Sequence, residues 1–281
     1  MRIATTPAML RQELAGPRQR LVLVPTMGAL HDGHLALVQR AREAAGPAGW
    51  VAVSIFVNPI QFDRPGDLAN YPQPLTEDLE KCRAAGVDLV FCPDQTAMYL
   101  PDRSITVTES LLSRQLCGAT RPGHFDGVCT VVIKLFNLFQ ADAAVFGEKD
   151  VQQLAIIRRM VRDLDLPVDI IAHPTIREHD GLAMSSRNVR LLPEHRADAP
   201  RIHRALEATR SLLRCGERNA APFLAAARKH LEDSPFLRID YLEMVDAETL
   251  EPIGRIQRPA VMATAVFYGE VRLIDHATLL P

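Results

Sequence analysis

Apolar residues fall in short unbroken runs through the first two thirds of the chain: LVLVP at 21–25, VAVSIFV at 51–57, VDLVFC at 87–92, AAVF at 143–146 and VDIIAH at 168–173. Runs of this length, rich in Val and Ile and without alternation, read as strands covered on both faces. Between them the pattern changes to helical spacing, from about His34, near 75–85, over about 126–139 and over 151–164. Strand and helix in regular alternation predict βαβ units. The expected fold is therefore α/β: a Rossmann-like, mostly parallel sheet with helices on both faces.

From about Thr175 the texture changes. A polar loop leads into two helical patterns, roughly 195–214 and 219–233, and then RIDYLEMVD, AVMATAVF and VRLID read as an antiparallel group. This predicts a first domain over 1–175 and a smaller C-terminal α+β domain over 176–281, with the boundary in the His-Pro-Thr stretch at 173–175.

Composition narrows the partners. The 281 residues, 47% hydrophobic and 23% charged, suffice for one large or two modest cores. The net charge of −2 comes from scattered residues of both signs, which excludes a broad electrostatic footprint for nucleic acid or an anionic membrane. Any charged partner is a small molecule. No apolar leader follows Arg2, and no run reaches the roughly 18 apolar residues of a membrane span. A cytoplasmic protein is expected. Its five cysteines contain no C-x-x-C pair and read as reduced thiols.

The candidate chemistry begins at PTMGALHDGHLALVQRA, 25–41, where a strand hands over to a helix. Gly28 and Gly33 let backbone approach a ligand closely. His31 and His34, three residues apart at a helix N-terminus, would add imidazole donors to an anion site, with phosphate the natural guest. A capped helix with surface histidines, or a metal site lacking an obvious third ligand, are the alternatives from this window alone. Neither G-x-G-x-x-G nor G-x-x-x-x-G-K-[ST] occurs, so dinucleotide and P-loop readings lack their main signals.

A second group is GEKD at 147–150. It directly follows a strand, so Lys149 and Asp150 would project into the crevice at the carboxyl ends of the sheet. Lys149 would serve as a point charge for phosphate. The third is DGLAMSSRNVRL at 180–191, where paired hydroxyls beside Arg187 suit an anion clamp. RPGHFDGV at 121–128 adds Arg121 and His124 ahead of a helix, while Asn58, Gln61 and Gln153 offer neutral amides for a small polar acid. Each of these also has a plain reading as a solvated turn or a structural amide.

Taken together and in order, PTMGALHDGH, VSIFVNPIQF, RPGHFDGV, FGEKDVQQL and DGLAMSSRN resemble the pantothenate synthetase family, within the nucleotidyltransferases that bear a His-x-Gly-His-type signature. A weaker echo lies in DYLE and RLID. The resemblance implies ATP-dependent joining of pantoate to β-alanine through a pantoyl-adenylate, with release of AMP and pyrophosphate, Mg²⁺ accompanying ATP, a homodimer, and a C-terminal domain closing over the site.

It also implies residue roles. Met27, Gly28, Ala29, Leu30, His31, Asp32, Gly33 and His34 would line the ATP site, with His34 the proton donor and His31 its companion at the phosphates. Gly147, Glu148, Lys149 and Asp150 would take the nucleotide, and Lys149 its phosphates. Ile176 would meet adenine through its backbone, and Met184, Ser185, Ser186 and Arg187 would close over the triphosphate. Gln61 and Gln153 would hold pantoate, and Asn58, Arg121 and His124 match pocket positions. Three departures stand out: YPQP at 71–74 where the family commonly has YPRT, MYLP at 98–101 where it has MYP, and His276 where it has asparagine. Another nucleotidyltransferase of the same superfamily, or a nucleotide-sensing module without turnover, are the competing readings.

Overall fold

The computed structural model describes residues 1–16 and 19–281. Six strands form one sheet: β1 (Arg2–Ala4), β2 (Leu21–Thr26), β3 (Trp50–Ile55), β4 (Leu89–Phe91), β5 (Ala143–Gly147) and β6 (Asp169–His173). All their pairings are parallel, and the order is β1-β4-β3-β2-β5-β6. From β2 the chain winds outward through β3 and β4, then returns to build β5 and β6 on the other side. The order therefore reverses between β2 and β5, and the carboxyl ends at that reversal, Thr26 and Gly147, mark where ligands of such sheets bind.

Four of the five apolar runs are buried as expected: Leu21, Val22, Leu23 and Val24 have no exposed surface, nor do Ala143, Ala144 and Val145. The run at 168–173 departs from the expectation, because β6 is an edge strand and its residues are half-buried or exposed. The helix Asp32–Ala45 packs Val38 and Ala41 against β-strand valines at 22, 24, 53 and 145. β1 is absent from the expectations because Arg-Ile-Ala is too short to show a period. It forms because β4 offers a register, with Ile3 opposite Val90.

A second sheet is antiparallel: β7 (Leu237–Asp246), β8 (Ala260–Tyr268) and β9 (Val271–Leu279) in sequence order. Tyr268 pairs with Val271, so the last hairpin turns in two residues, with Gly269 at φ +55°. The helices Arg201–Arg214 and Ala220–Glu232 bury Ile202, Leu206, Phe223 and Leu231 in one core with Met244, Met262 and Val266 of this sheet. Burial of each such side chain contributes about 1.5–3 kcal/mol. The helix expected over 195–214 is two helices, Pro193–Asp198 and Arg201–Arg214. Pro200 cannot supply an amide there, and the Asp198 carboxylate accepts from Arg201, Ser234 and Tyr268.

Contacts divide the chain into two compact units. One comprises 1–109, 122–148 and 156–174; the other 110–121, 149–155 and 175–281. The passage at 174/175 is one of several crossings, and the short segments 110–121 and 149–155 carry no signal in the sequence for the unit they join. No helix among the described residues is long and apolar enough to cross a membrane.

Candidate active site

In the first unit, β2 ends at Thr26, whose hydroxyl donates to the Ser54 carbonyl at 2.7 Å and accepts from the Gly28 amide at 3.2 Å. The chain then makes two left-handed residues in succession, Gly28 at φ +81° and Ala29 at φ +51°. This brings the amides of Ala29 and Leu30 onto one carboxylate: Asp78 Oδ2 and Oδ1 accept from them at 2.7 Å each. Asp78 lies on the helix Leu75–Ala84, is 1% exposed, and stands one turn from Lys81, whose ammonium donates to the Leu30 carbonyl at 2.7 Å. Cys82, the residue after Lys81 and likewise one turn from Asp78, has its thiol pushed up to about 12 by burial and by the Asp78 charge. Met27 and Gly28 also line a cavity of about 500 Å³ with Phe56, Val57, Gln73 and Asp78.

His31 then caps the helix Asp32–Ala45. Its Nδ1 accepts from the Gly33 amide at 3.2 Å, and His34 Nδ1 accepts from the His31 amide at 3.3 Å, a reciprocal capping box built from two imidazoles. The rings lie 4.1 Å apart, centre to centre. Because both Nδ1 atoms are acceptors, the neutral rings carry their protons on Nε2. The amides of Ala29, Leu30, His31 and Gly33 all bond to side chains of the protein.

The amide group forms a separate knot in the same unit. Asn58, 1% exposed, donates through Nδ2 to Gln61 Oε1 at 2.8 Å and to the Gly127 carbonyl at 3.1 Å, and accepts from the Tyr99 hydroxyl at 2.8 Å. Asn58 is thus engaged on both its oxygen and its nitrogen by protein, and its hydrogen bond to Oε1 fixes the orientation of the Gln61 amide. His124 Nδ1 lies 2.7 Å from the Gln61 carbonyl. At Gly127 the helix His124–Phe139 touches this turn so closely that a Cβ would fall 2.5 Å from the Ile60 carbonyl oxygen. Of the departures from the family pattern, Pro74 caps the Asp78 helix and Tyr99 belongs to this knot, while Leu100 is exposed.

In the second unit Lys149 occupies the short turn Glu148–Asp150 that leads into the helix Val151–Asp163, and keeps some exposed surface. Burial is the main cause drawing its ammonium below the usual lysine range; Asp150 and Asp275 oppose that shift and Arg187 adds to it. These four groups therefore share one neighbourhood. Asp275, 3% exposed, is held by Arg177 in a two-pronged ion pair at 2.6 and 2.9 Å.

The 176–184 segment is a tight hairpin, in which the Met184 amide donates to the Ile176 carbonyl at 3.0 Å and the Glu178 amide to Leu182 at 2.8 Å. Arg196 grips Glu178 and, in the turn, Asp180. Ser185 Oγ accepts from the Arg187 amide at 3.2 Å, and buried Asn188 ties the turn to Glu178 and Ala183. Met184, Ser185, Ser186 and Arg187 are all half-buried. On the helix after Lys149, Gln152 is buried and donates to the carbonyls of Leu112 and Gln115, whereas Gln153 is half-buried. Arg121 ends the helix Leu116–Thr120.

The structure thus gathers 27–34 at the end of β2, joins Asn58, Gln61 and His124 in one knot, and brings Lys149, Asp150 and Arg187 together in the second unit. Sequence reasoning missed Asp78, Lys81, Tyr99, Arg177 and Asp275. Among the described residues no three His, Cys, Asp or Glu side chains gather as a metal cage.

The family model for pantoate-β-alanine ligase matches residues 2–278. The chain belongs to the pantoate-β-alanine ligase family. Curated relatives agree across their whole length: the pantothenate synthetase of Akkermansia muciniphila is 52% identical over 99% of this chain and 100% of its own, and that of Moorella thermoacetica 48% identical over 99% of each. Among solved structures, the pantothenate synthetase of Thermus thermophilus superposes with a TM-score of 0.94 at 46% identity, covering 100% of both chains. The pantoate-β-alanine ligase of Francisella tularensis, solved in complex with β,γ-ATP and β-alanine, gives 0.80 at 30% identity over 99% of this chain and 97% of its own. The family architecture of a six-stranded parallel sheet and a three-stranded antiparallel one is the one found here.

Proposed function

We propose that this chain joins pantoate to β-alanine at the expense of ATP. A carboxylate resists an amine because its carbonyl is electron-rich and has no good leaving group. Pantoate oxygen therefore attacks the α-phosphate first and pyrophosphate departs; the β-alanine amine then attacks the mixed anhydride, and AMP leaves as the amide forms. No protein nucleophile is needed. The protein supplies alignment and donors for charge that spreads over phosphate oxygens.

The observation that carries this reading is the double imidazole cap, which sets two Nε2–H donors side by side. His34 and His31 serve the phosphates, Lys149 and Arg187 serve the same triphosphate, and the 27–34 and 147–150 segments bind the nucleotide. Ile176 and 184–187 complete the nucleotide contacts. Gln61 and Gln153 hold pantoate, with Asn58 and His124 orienting Gln61 and Arg121 at the pocket margin. Magnesium would be carried largely by phosphate oxygens and water, since such ions take few protein carboxylates. Asp150, which adjoins Lys149, would hold it there, and the ion would neutralise phosphate charge. Residence in the cytoplasm and a homodimer belong to the same reading; light scattering should give about twice the 31.1 kDa chain mass.

The test is ATP/pyrophosphate exchange. It should require pantoate, and adding β-alanine should yield AMP and pantothenate in equal amounts. Exchange without pantoate, or ATP binding with no AMP formed, would overturn the assignment.

A further inference from the structure

The two left-handed residues Gly28 and Ala29 form a small concavity of backbone amides, a shape that elsewhere binds anions. Here the anion is the protein's own. Asp78 receives both amides at 2.7 Å, one per oxygen, and is itself 1% exposed. Lys81, one helical turn on, takes the Leu30 carbonyl at 2.7 Å. One helix thus engages both the donors and the acceptor of the loop that immediately precedes His31.

Nothing in the reaction chemistry uses Asp78 directly. Its contribution is to the path of the chain: Ala29 is a non-glycine residue at φ +51°, a conformation unfavourable for an L side chain, and two charge-assisted hydrogen bonds offset that strain. Gly28 shows how closely the parts fit, since a Cβ there would stand 3.0 Å from Asp78 Oδ2 and 3.0 Å from Ile55 Cγ2.

We infer that Asp78, assisted by Lys81, is a positioning residue for adenylation: an internal carboxylate that occupies the amide concavity at 28–30 and fixes the direction in which the following imidazole pair meets the triphosphate. This rests on the proposed roles of His31 and His34. The loop amides are accordingly withheld from the substrate, and an anion supplied from outside should compete for them only when Asp78 is removed.

The experiment uses Asp78→Asn and Asp78→Ala in the full-length protein. Asparagine keeps the shape but turns an N–H group toward one of the two amides. Pantoate-dependent ATP/pyrophosphate exchange should fall about 10²-fold in kcat, the usual consequence of misplacing reacting groups by an ångström, with pantoate KM changed less than kcat. Hydrogen exchange of the 27–34 segment should accelerate while β2 stays protected. Formate should restore the Asp78→Ala rate by about tenfold, the equivalent of one charge-assisted hydrogen bond, and chloride at equal ionic strength should not. Rates within about twofold of the parent, a loss of rate with unchanged protection at 27–34, or no response to formate would overturn the inference. If Asp78→Ala does not fold, the exchange protection and kcat of Asp78→Asn decide it. Absence of pantoate-dependent exchange in the parent would instead sink the functional assignment, leaving the clamp to be judged by hydrogen exchange alone.

Discussion

His31 and His34 are tied by Nδ1 to backbone amides, so their donors are aimed by the fold of the chain itself. Lys149 is treated differently: burial and Arg187 weaken its hold on a proton, and Asp150 and Asp275 restore it. One region fixes the direction of neutral donors; the other fixes the strength of a cation. The two solutions suit the groups they serve. An imidazole has a single outward N–H and is useless if turned, whereas an ammonium rotates at no cost and needs only to stay charged.

The contrast is broken most severely at Arg177. Its replacement by methionine leaves the Asp275 carboxylate buried without its ion-pair partner and should lower stability by about 3–5 kcal/mol, read as a fall in the urea midpoint. Next come the donors themselves. His34→Ala and Lys149→Ala should each slow pantoate-dependent exchange by about 10² to 10³-fold, and near-parental exchange in both would remove them from the reaction.

The pH profile distinguishes them further. Because the folded-state pKa of Lys149 is lowered, its ammonium is lost as pH rises through a value below the usual lysine range, and exchange should decline along that alkaline limb. Lys149→Arg, whose guanidinium keeps its proton, should move the limb upward even at a reduced overall rate; a limb that stays in place would assign it to another group. At Gly127 an added methyl must displace the Ile60–Gln61 backbone, so Gly127→Ala should cost about 1–3 kcal/mol and raise pantoate KM as Gln61 shifts. The smallest effect is expected of Gln153→Ala: pantoate KM up by about tenfold, one hydrogen bond's worth, with kcat nearly kept.

Much of the first unit was legible because its strands are buried on both faces and its helices follow them directly; the runs at 21–25 and 143–146 could hardly be anything else. The end of β2 could be read too, since glycines and histidines cluster there within a few residues. Asp78 could not. It lies 48 positions from Leu30, in a helix whose charges look like an ordinary solvated face, and only the fold carries it beneath the loop. Arg177 and Asp275, 98 positions apart, are hidden for the same reason. The role of Asn58 illustrates a subtler limit: the sequence marks an amide near Gln61, but whether it meets ligand or neighbour depends on Tyr99 and Gly127, which arrive from distant segments. The break at Pro200 is visible as a residue, yet the apolar spacing runs on through it and masks the change of helix.

The chain's sulfur chemistry is uneven. Cys82, Cys92 and Cys129 have their thiols pushed upward by burial, to about 12 at Cys82 and Cys129, and Cys117 is buried, while Cys215 at the end of the helix Arg201–Arg214 is exposed. A maleimide dye should therefore alkylate the native protein at Cys215 alone, giving a single fluorophore on the second unit without any engineered cysteine.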